Sequence, residues 1–99
     1  MLPTKRVLPH PGKILREEFM NPLGLSANAL ALALRVPANR IGAILLGERA
    51  ITADTALRLA RYFGTTPEFW INLQSGFDLT SVRAIDGKRI EKEVAQRVA

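Results

Sequence analysis

Between Ser26 and Gly47 the chain reads SANALALALRVPANRIGAILLG, two short apolar-rich segments hinged at Leu34–Arg35–Val36–Pro37. No other stretch narrows the choice of fold as much. Leu30, Leu32 and Leu34 alternate with alanines, a period of two that by itself reads as a strand with one dry face. Composition overrides the rhythm. Residues 27–34 hold no β-branched side chain, so coiling them costs little torsional freedom. Ser26 offers a side-chain oxygen to an orphaned backbone N–H. At about 100° per residue, Ala27, Leu30 and Leu34 share a narrow arc with Ala31 beside it, and Leu32 points away. The first segment is therefore a helix.

Pro37 cannot extend that helix but can open another, which the pattern carries from Ala38 to Leu46 with Gly47 as its stop. Ile41, Ile44 and Leu45 form an inner face and Val36 fills the corner. Asn39, Gly42, Ala43 and Leu46 point outward, with Arg40 on the flank. So short a connection forces a steep crossing and presents the second helix at the surface.

Three further helices complete an all-α reading. Pro11 suits an opening turn, Ile14, Leu15 and Phe19 make one apolar face, and Asn21, Pro22 and Gly24 close that helix. Thr52 caps another, with Asp54 in its first turn, a stripe of Ala56, Leu59, Ala60 and Phe63, flanking Arg58 and Arg61, and Gly64 as terminator. Thr66, Pro67 and Glu68 then spell a cap, a first-turn proline and a first-turn carboxylate. Phe69, Leu73 and Phe77 follow at four-residue spacing with Trp70 adjacent. These four read as core, with one side left over for a dimer or partner seam. Past Phe77 the pattern weakens. Asp86 and Gly87 read as a turn, and Ile90, Val94 and Val98 align at four-residue spacing among charges, as in a tail that is frayed or orders on a partner. The expected organisation is a five-helix domain over residues 1–80 and a C-terminal extension, helical or disordered, over 81–99.

Composition sets limits on function. The chain of 99 residues has no cysteine, so neither a disulfide framework nor a thiolate site is available. No apolar run approaches the roughly 18 residues of a membrane span, and the proline-broken opening MLPTKRVLPHPG lacks the apolar core of a signal peptide. The expected location is cytoplasmic, with no membrane partner. His10 is the single histidine and reads as too early to join an organised cleft. Adjacent Glu17 and Glu18 point apart on a helix and make no acid–base pair. Gly47 lacks phosphate-loop neighbours, and no metal-ligand cluster or cofactor motif is visible. An enzyme is not expected. The net charge is +5, and it is uneven: residues 27–64 carry five arginines against Glu48 and Asp54, whereas residues 65–99 are balanced. A helical, basic middle points toward an anionic partner.

A helix with small outward side chains, held at the surface by a preceding helix, fits the B-DNA major groove. Asn39 can pair bidentately with adenine, and Arg40 can reach guanine or a phosphate. Arg49, in the following loop, suits a phosphate, and Asn28, at the start of the first helix of the pair, can anchor to the DNA backbone. The stretch SANALALALRVPANRIGAILLGERAITADTALRLARYFGTTPEFWINLQ resembles the helix-turn-helix domain of HigA-type antitoxins, within the Cro/repressor-like class. HPGKILREEFMNPLGLS resembles the same family's lead-in. The resemblance implies a five-helix domain that dimerises, represses its own operon through double-stranded operator DNA, and blocks a small RNA-cleaving toxin protein. It places Leu30, Ala31, Leu34, Val36, Ile41 and Ile44 in the core of the pair and Ala38, Asn39 and Ala43 at the base-reading surface. Some positions depart from the family pattern. Arg35 stands where glycine is common in the turn, Ala27 where a DNA-contacting Gln is frequent, and Gly42–Ala43 where a polar pair is often found. With fewer polar tips, sequence preference would rest on Asn39 and Arg40 plus DNA shape. A helical protein-binding adaptor with weak or no specific DNA binding remains the alternative.

Overall fold

The computed structural model describes residues 6–98. Within them the chain forms five helices and no strand. The first, α1, is composite: an α-helical turn Pro11–Ile14, a wider π-helical stretch Leu15–Met20 and a closing α-helical turn Asn21–Leu23. After it come α2 (Ala27–Leu34), α3 (Ala38–Leu45), α4 (Ala53–Phe63) and α5 (Pro67–Glu93). The first five residues of the proline-broken lead-in, and Ala99, lie outside the described residues.

Helix α1 continues through Asn21 and Pro22 to Leu23 and ends on Gly24 at φ 62°, the last of its three expected stop residues. Pro22 has no N–H for the Glu18 carbonyl and its ring would crowd it. The backbone absorbs this by widening the preceding turn, so that the Asn21 N–H reaches the Arg16 carbonyl in the i→i+5 manner of a π-bulge. The other caps behave as the sequence suggests. Ser26 accepts from the Ala29 N–H at 3.1 Å and Thr66 from the Phe69 N–H at 3.1 Å. Pro37 serves as an extended N-cap to α3 rather than as its first residue.

The core lies where α1–α4 meet the first half of α5. Leu15, Leu30, Ile41, Ile44, Ala56, Leu59 and Trp70 are completely enclosed, with Leu34, Ile51 and Ala60 nearly so. Leu30, Ala31, Leu34, Ile41 and Ile44 are thus buried as expected, with Val36 half-buried at the corner. Leu32, directed away from this core, is exposed. Phe19, Phe63 and Phe69 gather around Trp70, with ring centroids 4.9–6.3 Å from the indole, distances at which tilted and edge-on aromatic contacts are favourable. The indole N–H donates to Thr65 Oγ1 at 2.8 Å, so burying Trp70 leaves no polar atom unpaired. Trp70 is therefore core, as its spacing suggests, and is sealed within the monomer, so it does not belong to the side left over for a seam.

One close approach sets the seating of α3. A Cβ added at Gly12 would stand 2.0 Å from the Ile44 carbonyl oxygen, so α1 can lie on α3 only because residue 12 has no side chain.

Beyond Phe77 the structure corrects the sequence reading. Helix α5 passes through Asp86–Gly87 without a turn and ends at Val94, whose backbone is extended. Val94 and Val98 therefore do not continue the Ile90 face as helix. An interior glycine costs about 1 kcal/mol relative to alanine, but each added residue of an established helix gains a hydrogen bond. The Asp86–Arg89 pair at 2.9 Å spans the expected break. The two residues that α5 buries, Trp70 and Gln74, both lie in its first half. The rest projects, giving a radius of gyration of 16.3 Å against about 13 Å for a compact chain of this length.

Candidate nucleic-acid interface

The corner between α2 and α3 closes on Arg35, which adopts the left-handed conformation (φ 60°, ψ 45°). It is the one non-glycine residue with positive φ among those described, at a cost of roughly 1–2 kcal/mol. The turn recovers backbone hydrogen bonds: the Arg35 N–H donates to the Leu32 carbonyl at 3.2 Å and the Val36 N–H to the Ala31 carbonyl at 3.1 Å. These end α2 within one residue and let Pro37 redirect the chain into α3.

Ile41 and Ile44 anchor α3 in the core, and the opposite face carries Ala38 and Asn39, both exposed, and the half-buried Ala43. No side chain caps the α3 N-terminus. Its first N–H groups, together with the positive end of the helix dipole, are thus directed outward, an arrangement that suits phosphate oxygens. Asn28 is exposed in the first turn of α2, where Ser26 performs the capping. Arg49 is exposed in the α3–α4 loop.

Arg40 is placed differently from the expectation. Its Nη1 donates to Asp54 Oδ1 at 3.0 Å, which holds the guanidinium against the first turn of α4. Asp54 Oδ1 also accepts from Arg58 Nε at 2.8 Å, and Arg58 Nη1 donates to the Leu34 carbonyl at 2.9 Å. Hydrogen bonding from Arg58, and then from Arg40, keeps the Asp54 carboxyl below the ordinary carboxylate range. The sequence reading found Asp54 only as a helix-start residue. Its i,i+4 spacing to Arg58 signals a local pair, but the contact with Arg40, from another helix, has no signature in the sequence.

His10 also belongs to the framework rather than lying apart from it. Its Nδ1 accepts from the Gly12 N–H at 2.9 Å, capping α1, and its ring meets Phe77 edge-on at 4.9 Å. Burial lowers its pKa, opposed by the Asp78 charge and a hydrogen bond with the Arg49 backbone. Nearby, Gln74 joins the α3–α4 loop to α5: its Oε1 accepts from the Ile51 N–H at 2.8 Å and its Nε2 donates to Asp78 at 3.0 Å. Of the expected seam residues other than Trp70, Leu73 packs against the core and Phe77 against His10, while Phe69 is partly exposed. Large apolar side chains are exposed farther along α5, at Leu79, Val82, Ile85 and Ile90.

Two short helices set at a tight corner, with the second anchored by its inner face and bare on its outer face, define a helix-turn-helix protein. The helix-turn-helix family model matches residues 15–70. An addiction-module antidote protein of the HigA family from Coxiella burnetii superposes with a TM-score of 0.87 at 54% identity, over 93% of this chain and 100% of that one. The antitoxin HigA of Pseudomonas aeruginosa, solved with the higBA promoter, gives 0.87 at 46% identity, over 91% and 98%. Virulence-associated protein I of Dichelobacter nodosus is 59% identical over 71% of this chain, which spans 65% of that relative's length. The chain belongs to the HigA-type family of helix-turn-helix antitoxins, a non-catalytic DNA-binding class.

Proposed function

We propose that the chain is the antitoxin of a toxin–antitoxin pair, that it represses its own operon by setting α3 into the major groove of operator DNA as a homodimer, and that it also binds and neutralises a cognate toxin protein. The observation that carries this reading is the outer face of α3, where Ala38, Asn39 and Ala43 stand over the enclosed Ile41 and Ile44. Small side chains let the helix backbone approach base edges, and Asn39 supplies the bidentate amide that adenine requires. Asn28 and Arg49 flank it as phosphate contacts. Arg40 is left out of this set because its guanidinium is committed to Asp54. The HigA relative solved with the higBA promoter supports the DNA-binding reading. The apolar side chains of distal α5 favour a two-fold partner, which would pair two reading helices at one-turn spacing. Among the described residues no helix is long and apolar enough to cross a membrane. Operator binding would place the protein in the cytoplasm.

The test is binding of the full chain to the duplex upstream of its own gene and to a scrambled duplex, across a salt series. Repression predicts preference for the first and a steep loss of affinity with salt. Asn39→Ala reduces the preference by about tenfold, within the 1–3 kcal/mol of a bidentate base contact, whereas Arg49→Ala weakens both duplexes alike. No binding at low salt, with a co-purifying protein retained, would instead identify a protein-binding adaptor.

A further inference from the structure

The duplex-facing reading of α3 leaves the Arg40–Asp54–Arg58 cluster unexplained. These side chains are 24%, 58% and 40% exposed, and ion pairs so open to water add little to stability. Their arrangement nevertheless joins every part of the motif. One carboxylate oxygen, Asp54 Oδ1, accepts from Arg40 on α3 and Arg58 on α4. Arg58 in turn satisfies the Leu34 carbonyl at the end of α2, where a cation also complements the helix dipole. The Nε of Arg40 is buried and without a partner among the described residues, so the side chain lies along the protein rather than reaching outward.

We propose that Asp54 is a positioning residue that limits sequence-blind, salt-dependent DNA binding: it holds the Arg40 guanidinium on the protein and so withholds a phosphate contact from the flank of the reading helix. An arginine on this flank, two residues from the uncapped start of α3, would pair with any phosphate within reach. Such contacts raise affinity for all duplexes equally and carry no sequence information. Asp54 removes that term, leaving recognition to the outer face of α3. The inference rests on the operator-binding reading above.

The experiment compares wild type, Asp54→Asn, Arg40→Gln, the double variant and Glu91→Gln, a control for the same charge change on the exposed end of α5. Each is titrated with operator and scrambled duplexes across a salt series, and melting temperatures confirm folding. Asp54→Asn is expected to bind scrambled duplex about 3–10-fold more tightly and to steepen the salt slope by about 0.9, one phosphate's worth. Operator affinity rises by a similar factor, so the operator-to-scrambled ratio is unchanged. Glu91→Gln leaves the slope unchanged, as does Arg40→Gln in the wild-type background, while Arg40→Gln in the Asp54→Asn background restores the wild-type slope. A role confined to stability would lower affinity for both duplexes and would not steepen the slope. An unchanged slope in Asp54→Asn overturns the proposal, as does a slope reduced by Arg40→Gln alone; the latter comparison decides it even if Asp54→Asn fails to fold. Wild type that binds operator and scrambled duplex equally overturns the operator reading, while the slopes still decide the role of Asp54. Binding to neither duplex overturns both.

Discussion

The two halves of α5 belong to one unbroken helix and have opposite fates. The first carries Trp70, Leu73, Gln74 and Phe77, each engaged by the bundle through the aromatic cluster, the core, the Ile51 N–H or the His10 ring. The tie between the Leu8 N–H and Thr80 Oγ1 at 3.0 Å extends this embedded region. The second half has no comparable base, and Ile85 is 82% exposed. Helix formation is thus independent of burial here. A helix nucleated on a core can run on past it, because propagation is cheap once the first turn exists. The projecting half leaves Leu79, Val82, Ile85 and Ile90 exposed.

The largest expected effect separates the halves directly. Trp70→Ala should destabilise the fold by about 3–5 kcal/mol, as for other large aromatic truncations in a core, read from thermal or denaturant unfolding. A loss under about 1 kcal/mol would mean that the proximal half is not the anchor. Next, Ile85→Asp should leave the monomer folded, shift sedimentation from dimer to monomer, and weaken operator binding by at least about tenfold through loss of the paired half-site contact. A dimer unmoved by this change would place the seam elsewhere.

A smaller effect comes from the two glycines of α5. Gly87→Ala should raise helicity and hydrogen-exchange protection over residues 84–93, by up to about 1 kcal/mol, because an added Cβ meets only the flexible Arg83 side chain, at 3.3 Å. Gly76→Ala gains less, since its Cβ would crowd Leu8 Cδ1 at 3.0 Å. Equal gains would erase the distinction between the halves.

The smallest effect concerns His10, which faces Phe77 on the proximal half. Burial lowers its folded pKa below the ordinary 6.5, so the unfolded chain binds the proton more readily. Its contribution to stability is complete above pH 6.5 and declines as pH falls through that value toward the folded pKa. Protonation also removes the Nδ1 lone pair that accepts from Gly12. The melting temperature should therefore fall more between pH 8 and pH 5.5 in wild type than in His10→Gln. A drop of the same size in both would assign the pH dependence to other groups.

Much of the fold was legible because its signals are local. Ser26, Thr52 and Thr66 act as caps through oxygens that reach only three residues along the chain, and the Leu34–Pro37 corner closes through bonds spanning five residues or fewer. Reading α2 as helix rather than strand required only residue chemistry. The errors arose where a local signal met a nonlocal circumstance. Asp86–Gly87 is a fair turn signal, yet α5 was already nucleated on the Trp70 cluster. Asn21 and Pro22 are fair stops, yet a π-helical stretch carries the backbone past them to the third expected stop, Gly24. The proximal aromatics were divided between core and seam because periodicity identifies a face without identifying what covers it.

By itself the sequence determined that the chain is all-helical, where most helices begin, and that a short basic pair with a bare outer face would be presented at the surface. Periodicity, capping and proline chemistry act within a few residues, and a string of letters contains all they need. The tertiary structure alone decided that Gly12 sits on the Ile44 carbonyl, that His10 joins the framework, and that Arg40 turns to Asp54 instead of outward. Each of these depends on the distance between atoms far apart in the chain, and such distances exist only once the helices have packed.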